Sequence, residues 1–259
     1  MNTLNNAIMN VPYLTQKDQI ATAAILITTF CFILYWFVAQ SQKLKASYYA
    51  KYAFDEASRK HIFFTKYFGF LVLGLIPVLF LSFLIPQFTL QKIGLWFNSE
   101  TTWFSIAWTL GLSLVVIPLA FISAKKPENL KNYPQIRAKT WTNKTMVINL
   151  LGWALYLFGY ELLFRGTLFF PLVDSLGIWP AIAINIALYA TTHIPKGLAE
   201  TLGAIPLGFV LCLLTLESGT VWIAFFVHLA LAWTNSLTAL AYHPEIEYTG
   251  RIFKKNANN

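Results

Sequence analysis

The chain has 259 residues, 57% of them hydrophobic and only 12% charged, with a formal charge of +8. A soluble domain carries about 25% charged residues, so the composition excludes an ordinary water-soluble globule. The basic balance would raise nucleic-acid binding in a soluble protein. Here the 19 Lys and Arg residues cluster between apolar runs, which points to membrane topology and to no nucleic-acid partner.

Along the chain, residues 1–16 carry no Lys or Arg, and the first apolar run, Ile20 to Val38, is long enough to span a bilayer. A cleavable leader is therefore not expected. Seven spans are predicted, near 19–40, 67–86, 102–124, 145–171, 178–195, 199–217 and 220–242. The runs are about 20 residues long and do not alternate in polarity, so helices are expected rather than strands. Cys31 and Cys212 both fall inside apolar runs, which argues against a disulfide framework.

The loops orient the spans. Lys43, Lys45, Lys51, Arg59, Lys60 and Lys66 lie between the first two, and Lys125, Lys126, Lys131, Arg137, Lys139 and Lys144 between the third and fourth. The second loop has only Lys92, and the tail has Arg251, Lys254 and Lys255. The positive-inside rule then places the N-terminus outside and the C-terminus in the cytoplasm, as an odd number of spans requires. Trp141, Trp179 and Trp222 fall near predicted span ends as interfacial anchors, while Trp108, Trp153 and Trp233 lie deeper as packing residues. Phe88 to Ser99 reads as a short interfacial helix. The basic stretch 41–66 reads either as a headgroup-binding loop or as a solvated connection. The expected organisation is three N-terminal spans with basic loops over 1–144, a core over 145–243 and a polar cytoplasmic tail over 244–259.

Four ionisable residues, Glu161, Arg165, His193 and His228, sit inside these apolar stretches. Each costs roughly 2.5–3.5 kcal/mol on insertion scales, which makes function the default hypothesis. The turn Val173 to Gly177 reverses the chain between Glu161 and His193, and at 1.5 Å per residue both lie roughly 20–27 Å from that tip. His228 enters the last span about 12 Å from its outer end. Three polar heads can therefore meet in one cavity. Glu161 and Arg165, four apart, share a helix face and could form a buried ion pair. A Glu with two His could hold a divalent metal such as Zn²⁺, with Glu161, His193 and His228 as ligands. Glu and His could instead activate water directly while another donor stabilises an oxyanion. They could also form the proton relay of a transporter, although no inverted repeat is evident.

At these residues the chain resembles the CAAX-protease and bacteriocin-processing family (CPBP or Abi family). That family's motifs read Glu-Glu-x-x-x-Arg, Phe-x-x-x-His and His-x-x-x-Asn or Asp. Here they are Tyr160-Glu161-Leu162-Leu163-Phe164-Arg165-Gly166, Tyr189 to His193, and His228 to Ala232, over roughly residues 145–240. Pro206-Leu207-Gly208 and Glu217 to Trp222 also look like the family. The resemblance implies an all-α, polytopic intramembrane fold and, in active members, endopeptidase activity on a membrane-held peptide or protein. By the same resemblance, Glu161 and His193 would activate water, His228 would stabilise the oxyanion, and Arg165 would neutralise Glu161 or position substrate. Two positions depart from the pattern. Tyr160 stands at the first Glu, and a phenol with a pKa near 10 is a poor base at neutral pH. Ala232 stands at the Asn, with Asn235 on a similar face as a substitute amide. Those departures keep open a second reading, a family member without proteolysis that binds a membrane partner or serves in bacteriocin immunity.

Overall fold

The computed structural model describes residues 15–250; the N-terminal residues 1–14 and the tail cations Arg251, Lys254 and Lys255 lie outside the described residues. The structure is helical, with one two-residue parallel strand pair, β1 (Thr140–Trp141) and β2 (Glu247–Tyr248). Among the described residues six helices are long and apolar enough to cross a membrane, and the protein is a multi-pass membrane protein.

The first, α1 (Gln16–Ala39), opens on a capping box in which Thr15 and Asp18 satisfy each other's backbone donors. The basic stretch that follows is not an open loop. It forms α2 (Gln42–Lys51) and the start of α3 (Phe54–Gly69), whose first turn carries Asp55 and Glu56 where the helix dipole favours anions. The second span therefore starts earlier than its apolar run. It continues through a π-helical segment, Phe70–Leu75, into α4 (Ile76–Leu84). The segment expected as an interfacial helix holds only a short 3₁₀ turn, Leu90–Ile93. It folds back instead: Trp96 Nε1 donates to the Gly219 carbonyl, and Asn98 Nδ2 to that of Ser218. α5 (Thr102–Ala124) matches its predicted span, and a short helix α6 (Pro127–Leu130) follows.

The central element is one continuous 34-residue helical span, Asn143–Leu176. It comprises α7 (Asn143–Glu161), a π segment (Leu162–Phe169) and α8 (Phe170–Leu176). Gly177, at φ 86°, makes the reversal, a conformation that L side chains rarely adopt. The expected fifth span is shorter than predicted. α9 (Ile178–Thr191) has 14 residues, about 21 Å, less than the roughly 30 Å of a bilayer core. It stops because Pro195 and Gly197 break the helix in a 3₁₀ turn, Ile194–Lys196. α10 (Leu198–Ser218) and α11 (Trp222–Tyr242) complete the chain.

Packing fixes the relative directions. α3 and its π segment run alongside α7 so closely that a Cβ on Gly159 would lie 2.9 Å from the Phe70 Cα, and one on Gly74 3.1 Å from the Gly159 Cα. Small residues allow this approach, the usual device for helix contact where no hydrophobic effect drives association. α11 is tied to α7 by Asn149 to Ser236 (3.0 Å) and by Trp233 Nε1 to the Leu150 carbonyl (3.1 Å). The start of α1 packs beside α8 through Ala21, Ala24, Leu168 and Leu172. The end of α11 meets the basic 125–137 region, with Lys125 over Tyr242 and Arg137 on His243. Gln16 and Tyr242 are therefore at opposite ends of the bundle. Trp141 is buried, tucked under Ile136 and Leu240, while Trp108 is exposed on the outer surface; each reverses its expected placement. Trp153 is a packing residue as expected.

Candidate active site

The site lies where α7 ends and its π segment begins. Glu161 and His193 are equally far along the chain from the Gly177 reversal, so the hairpin brings them to one depth. α11 runs antiparallel to α7 and delivers His228 to the same level.

Glu161 is fully buried and its two oxygens face different partners. His228 Nδ1 is 2.5 Å from Oε1, and Arg165 Nη1 is 3.3 Å from Oε2. A carboxylate accepts, so His228 carries a proton on Nδ1. Arg165 is also fully buried, and its guanidinium stacks 4.2 Å over the Tyr189 ring. Its nitrogens are close to the carboxylate yet make no aligned hydrogen bond. Gly208 makes room for the Tyr189 ring, since a Cβ there would stand 3.1 Å from its Cδ1.

His193 is fixed differently. Its Nδ1 lies 2.9 Å from the Tyr189 carbonyl, and a carbonyl only accepts, so the Nδ1–H donates and Nε2 keeps its lone pair in the neutral ring. Thr192 Oγ1 donates to the same carbonyl at 2.7 Å, and Tyr160 Oη lies 2.7 Å from Thr192 Oγ1. With the Thr192 proton on the carbonyl, the phenol donates to Thr192. Tyr160 thus anchors the turn that carries His193. Its ring, with that of Tyr189, sits beside both histidines, at centroid distances of 5.8 Å to His228 for Tyr160 and 4.8 Å to His193 for Tyr189. Each histidine keeps a small exposed area, 7% for His193 and 8% for His228, whereas Glu161 and Arg165 have none. The two histidines are therefore the members of the group that keep contact with the surroundings.

Two further features shape the site. The π segment begins at the residue after Glu161, and such segments occur frequently at functional sites. The widened turn leaves the Phe164 carbonyl to Asn185 Nδ2, at 2.6 Å, while Cys212 Sγ donates to Asn185 Oδ1. Asn185 and Tyr189 share one face of α9 at helical spacing, with His193 in the turn that follows, so a polar residue in an apolar run was the available signal for Asn185. No sequence signal announced the π segment.

Asn235 does not join this group. It lies seven residues beyond His228, about 10 Å along α11, and makes no hydrogen bond to Glu161, His193 or His228. The expected metal set also does not fit. Glu161 Oε1 and His228 Nδ1 bond each other at hydrogen-bond distance, His193 Nδ1 is turned to a backbone carbonyl, and Arg165 flanks the remaining carboxylate oxygen. Among the described residues, no group of three His, Cys, Asp or Glu side chains is placed to hold a metal ion.

Residues 134–234 match the family described as Rce1-like, type II CAAX prenyl endopeptidase Rce1-like. No curated protein and no solved structure gives a significant match to the chain. The matched segment contains Tyr160, Glu161, Arg165, Asn185, His193 and His228, and over it the chain is similar to the CAAX-protease (CPBP) family.

Proposed function

We propose that the protein is an intramembrane endopeptidase that hydrolyses a peptide bond in a membrane-held substrate, such as the prenylated chains named in the description of its family. The observation that supports this most is the division of labour between the two histidines. His193, neutral with Nδ1–H on a carbonyl, has Nε2 available to take a proton from water. His228 is held by the Glu161 carboxylate through Nδ1. With Nδ1 held in this way, its Nε2 edge is the one turned to the oxyanion in this reading.

In this reading water attacks the scissile carbonyl carbon as its proton passes to His193 Nε2. The carbonyl oxygen becomes the oxyanion, bonded by His228 Nε2–H. Collapse of the tetrahedral species breaks the C–N bond, and His193 returns the proton to the leaving amine. Glu161 does not itself meet the water; it orients and neutralises His228, and Arg165 balances Glu161. This differs from the role that resemblance implied for Glu161. The proposed topology has the N-terminus outside and the basic face with the C-terminus in the cytoplasm, following the charge of the loops.

Purified protein in proteoliposomes, offered a prenylated fluorogenic peptide, tests the reading. Cleavage by wild type that disappears in both His193→Ala and His228→Ala supports it; equal turnover in all three overturns it.

One observation favours the second reading, a binding or immunity protein without turnover. Tyr160 fills the place of a family Glu, and its hydroxyl is spent on Thr192. Cleavage that appears only in Tyr160→Glu would establish that alternative.

A further inference from the structure

Between Gln19 and Phe54 the sequence holds no acidic residue, and the cations in that stretch are Lys43, Lys45 and Lys51. All three lie on α2, all three are exposed, and α2 has no buried residue of its own. Among the described residues none of them lies within ion-pair distance of a carboxylate. The two acids that follow in the chain are engaged elsewhere. Asp55 accepts from the Lys139 and Thr140 amides, and Glu56 pairs with Lys60 at 2.8 Å. Lys45 Nζ lies 5.9 Å from the centroid of the Tyr49 ring, a contact that holds the ammonium without neutralising it. Lys43 and Lys45 stand in the opening residues of α2, where the helix dipole disfavours cations, so their charge does not serve the helix that carries it.

Their place along the chain indicates the partner. α1 has 24 residues, about 36 Å of rise against roughly 30 Å of hydrocarbon core, so its last turn reaches the headgroups. Trp36, partly exposed, and Phe37, 71% exposed, sit near that end, as aromatic side chains do at a bilayer edge. Lys43 and Lys45 follow Ala39 by about 6 and 9 Å of helix rise. A headgroup layer is about 5–7 Å deep, and an extended lysine stem covers the remainder. Lys51 is placed differently. α2 and α3 form a hairpin in which Tyr48 meets His61 and Phe64 at centroid distances of 5.7 and 6.1 Å, and Tyr49 meets Phe54 at 5.4 Å. α3 enters the second span at its other end, so Lys51 lies by the hairpin turn, the end remote from α1.

We propose that Lys43 and Lys45 together bind the phosphate of an anionic phospholipid in the leaflet where α1 ends. The basic stretch then divides: its first two lysines meet the bilayer, and Lys51 is solvated. An acidic peptide in solution offers a similar charge, but a headgroup at this level is already beside the two lysines. The inference does not depend on whether the protein hydrolyses peptides.

The test is lipid uptake by the purified full-length chain in neutral detergent, counted by native mass spectrometry as phosphatidylglycerol or phosphatidylcholine is added. A lysine near a membrane surface is worth about fivefold in affinity, so wild type should take up its first phosphatidylglycerol about 25-fold more tightly than phosphatidylcholine. Lys43→Gln combined with Lys45→Gln should bring the two lipids level, while Lys51→Gln should keep the preference. Equal uptake of both lipids by wild type overturns the site, and that result needs no variant to fold. A preference that survives in the double variant, or one that Lys51→Gln removes as fully, also overturns it. Displacement of bound phosphatidylglycerol by an equal concentration of inorganic phosphate, or of a soluble polyglutamate peptide, would overturn the lipid assignment in favour of a free anion or an acidic protein.

Discussion

His228 Nδ1 lies 2.5 Å from Glu161 Oε1, while the other oxygen of the same carboxylate faces Arg165 at 3.3 Å. One buried anion thus serves two cationic or potentially cationic partners on two helices. It links the electrostatics of α7 to the chemistry of α11.

That sharing predicts unequal effects for substitutions at Glu161. Glu161→Ala leaves the Arg165 guanidinium buried without its counter-charge, which costs about 3–5 kcal/mol. The double variant Glu161→Gln with Arg165→Met removes both charges and should recover most of the stability. Neither should recover turnover, since the proton on His228 has lost its partner. Thermal unfolding in detergent beside a cleavage assay separates the two outcomes; a double variant as unstable as the single would contradict the buried-pair account.

Tyr160→Phe keeps the ring packing and removes only the hydroxyl that bonds Thr192. The expected loss of stability is about 1 kcal/mol. Turnover should fall about tenfold, because the turn that fixes His193 is less constrained, while Km stays close to wild type. Unchanged kcat in Tyr160→Phe would show that the phenol does not position His193.

The glycine contact between α7 and the second span should be intolerant of volume. A Cβ on Gly159 meets the Phe70 Cα at 2.9 Å, and backbone cannot swing aside. Gly159→Ala should therefore destabilise by about 1–3 kcal/mol, whereas Gly111→Ala, with nothing within 4 Å, should be neutral or slightly stabilising. Unfolding temperatures of the two variants check the contrast.

Outside the spans, His243 should make stability sensitive to mild acid. Partial burial, then the nearby Arg137 guanidinium, hold its imidazole below the usual histidine range. Because the folded pKa is depressed, the unfolded chain binds the extra proton first. Stability from this group is present above the ordinary histidine pKa of about 6.5 and is lost as pH falls through the window below it. The drop in unfolding temperature between neutral and mildly acid pH should be smaller in His243→Asn than in wild type. An equal drop would assign the sensitivity elsewhere.

Much of this architecture was readable from apolar run length. α5 and α11 begin and end close to their expected bounds, because hydrophobicity and helix coincide there. α3 begins before its apolar run, because its first turns are polar, so hydropathy marks the span and not the helix. α9 falls short of a full span, because Pro195 and Gly197 stop the helix while the sequence remains apolar. Counting residues to the turns put Glu161 and His193 at similar depth and His228 at a different one, an offset that helix tilt would have to close. Their pairing did not follow from the count. Which carboxylate oxygen meets His228, and which carbonyl fixes His193, depend on side-chain rotamers and on the π segment at Leu162–Phe169. Residue spacing carries neither. Lys66 was counted with the loop charges, and only the packing of α3 on α7 shows it buried against Trp153.

The central claim is that His193 and His228 perform the two halves of one hydrolysis. The most direct measurement is single-turnover cleavage of a prenylated fluorogenic peptide by reconstituted wild type, His193→Ala, His228→Ala and the double variant. The account predicts that either single substitution costs about 10²-fold or more and that the double variant is little worse than the slower single, as expected of groups acting in one step. Wild-type rates in either single variant would contradict it.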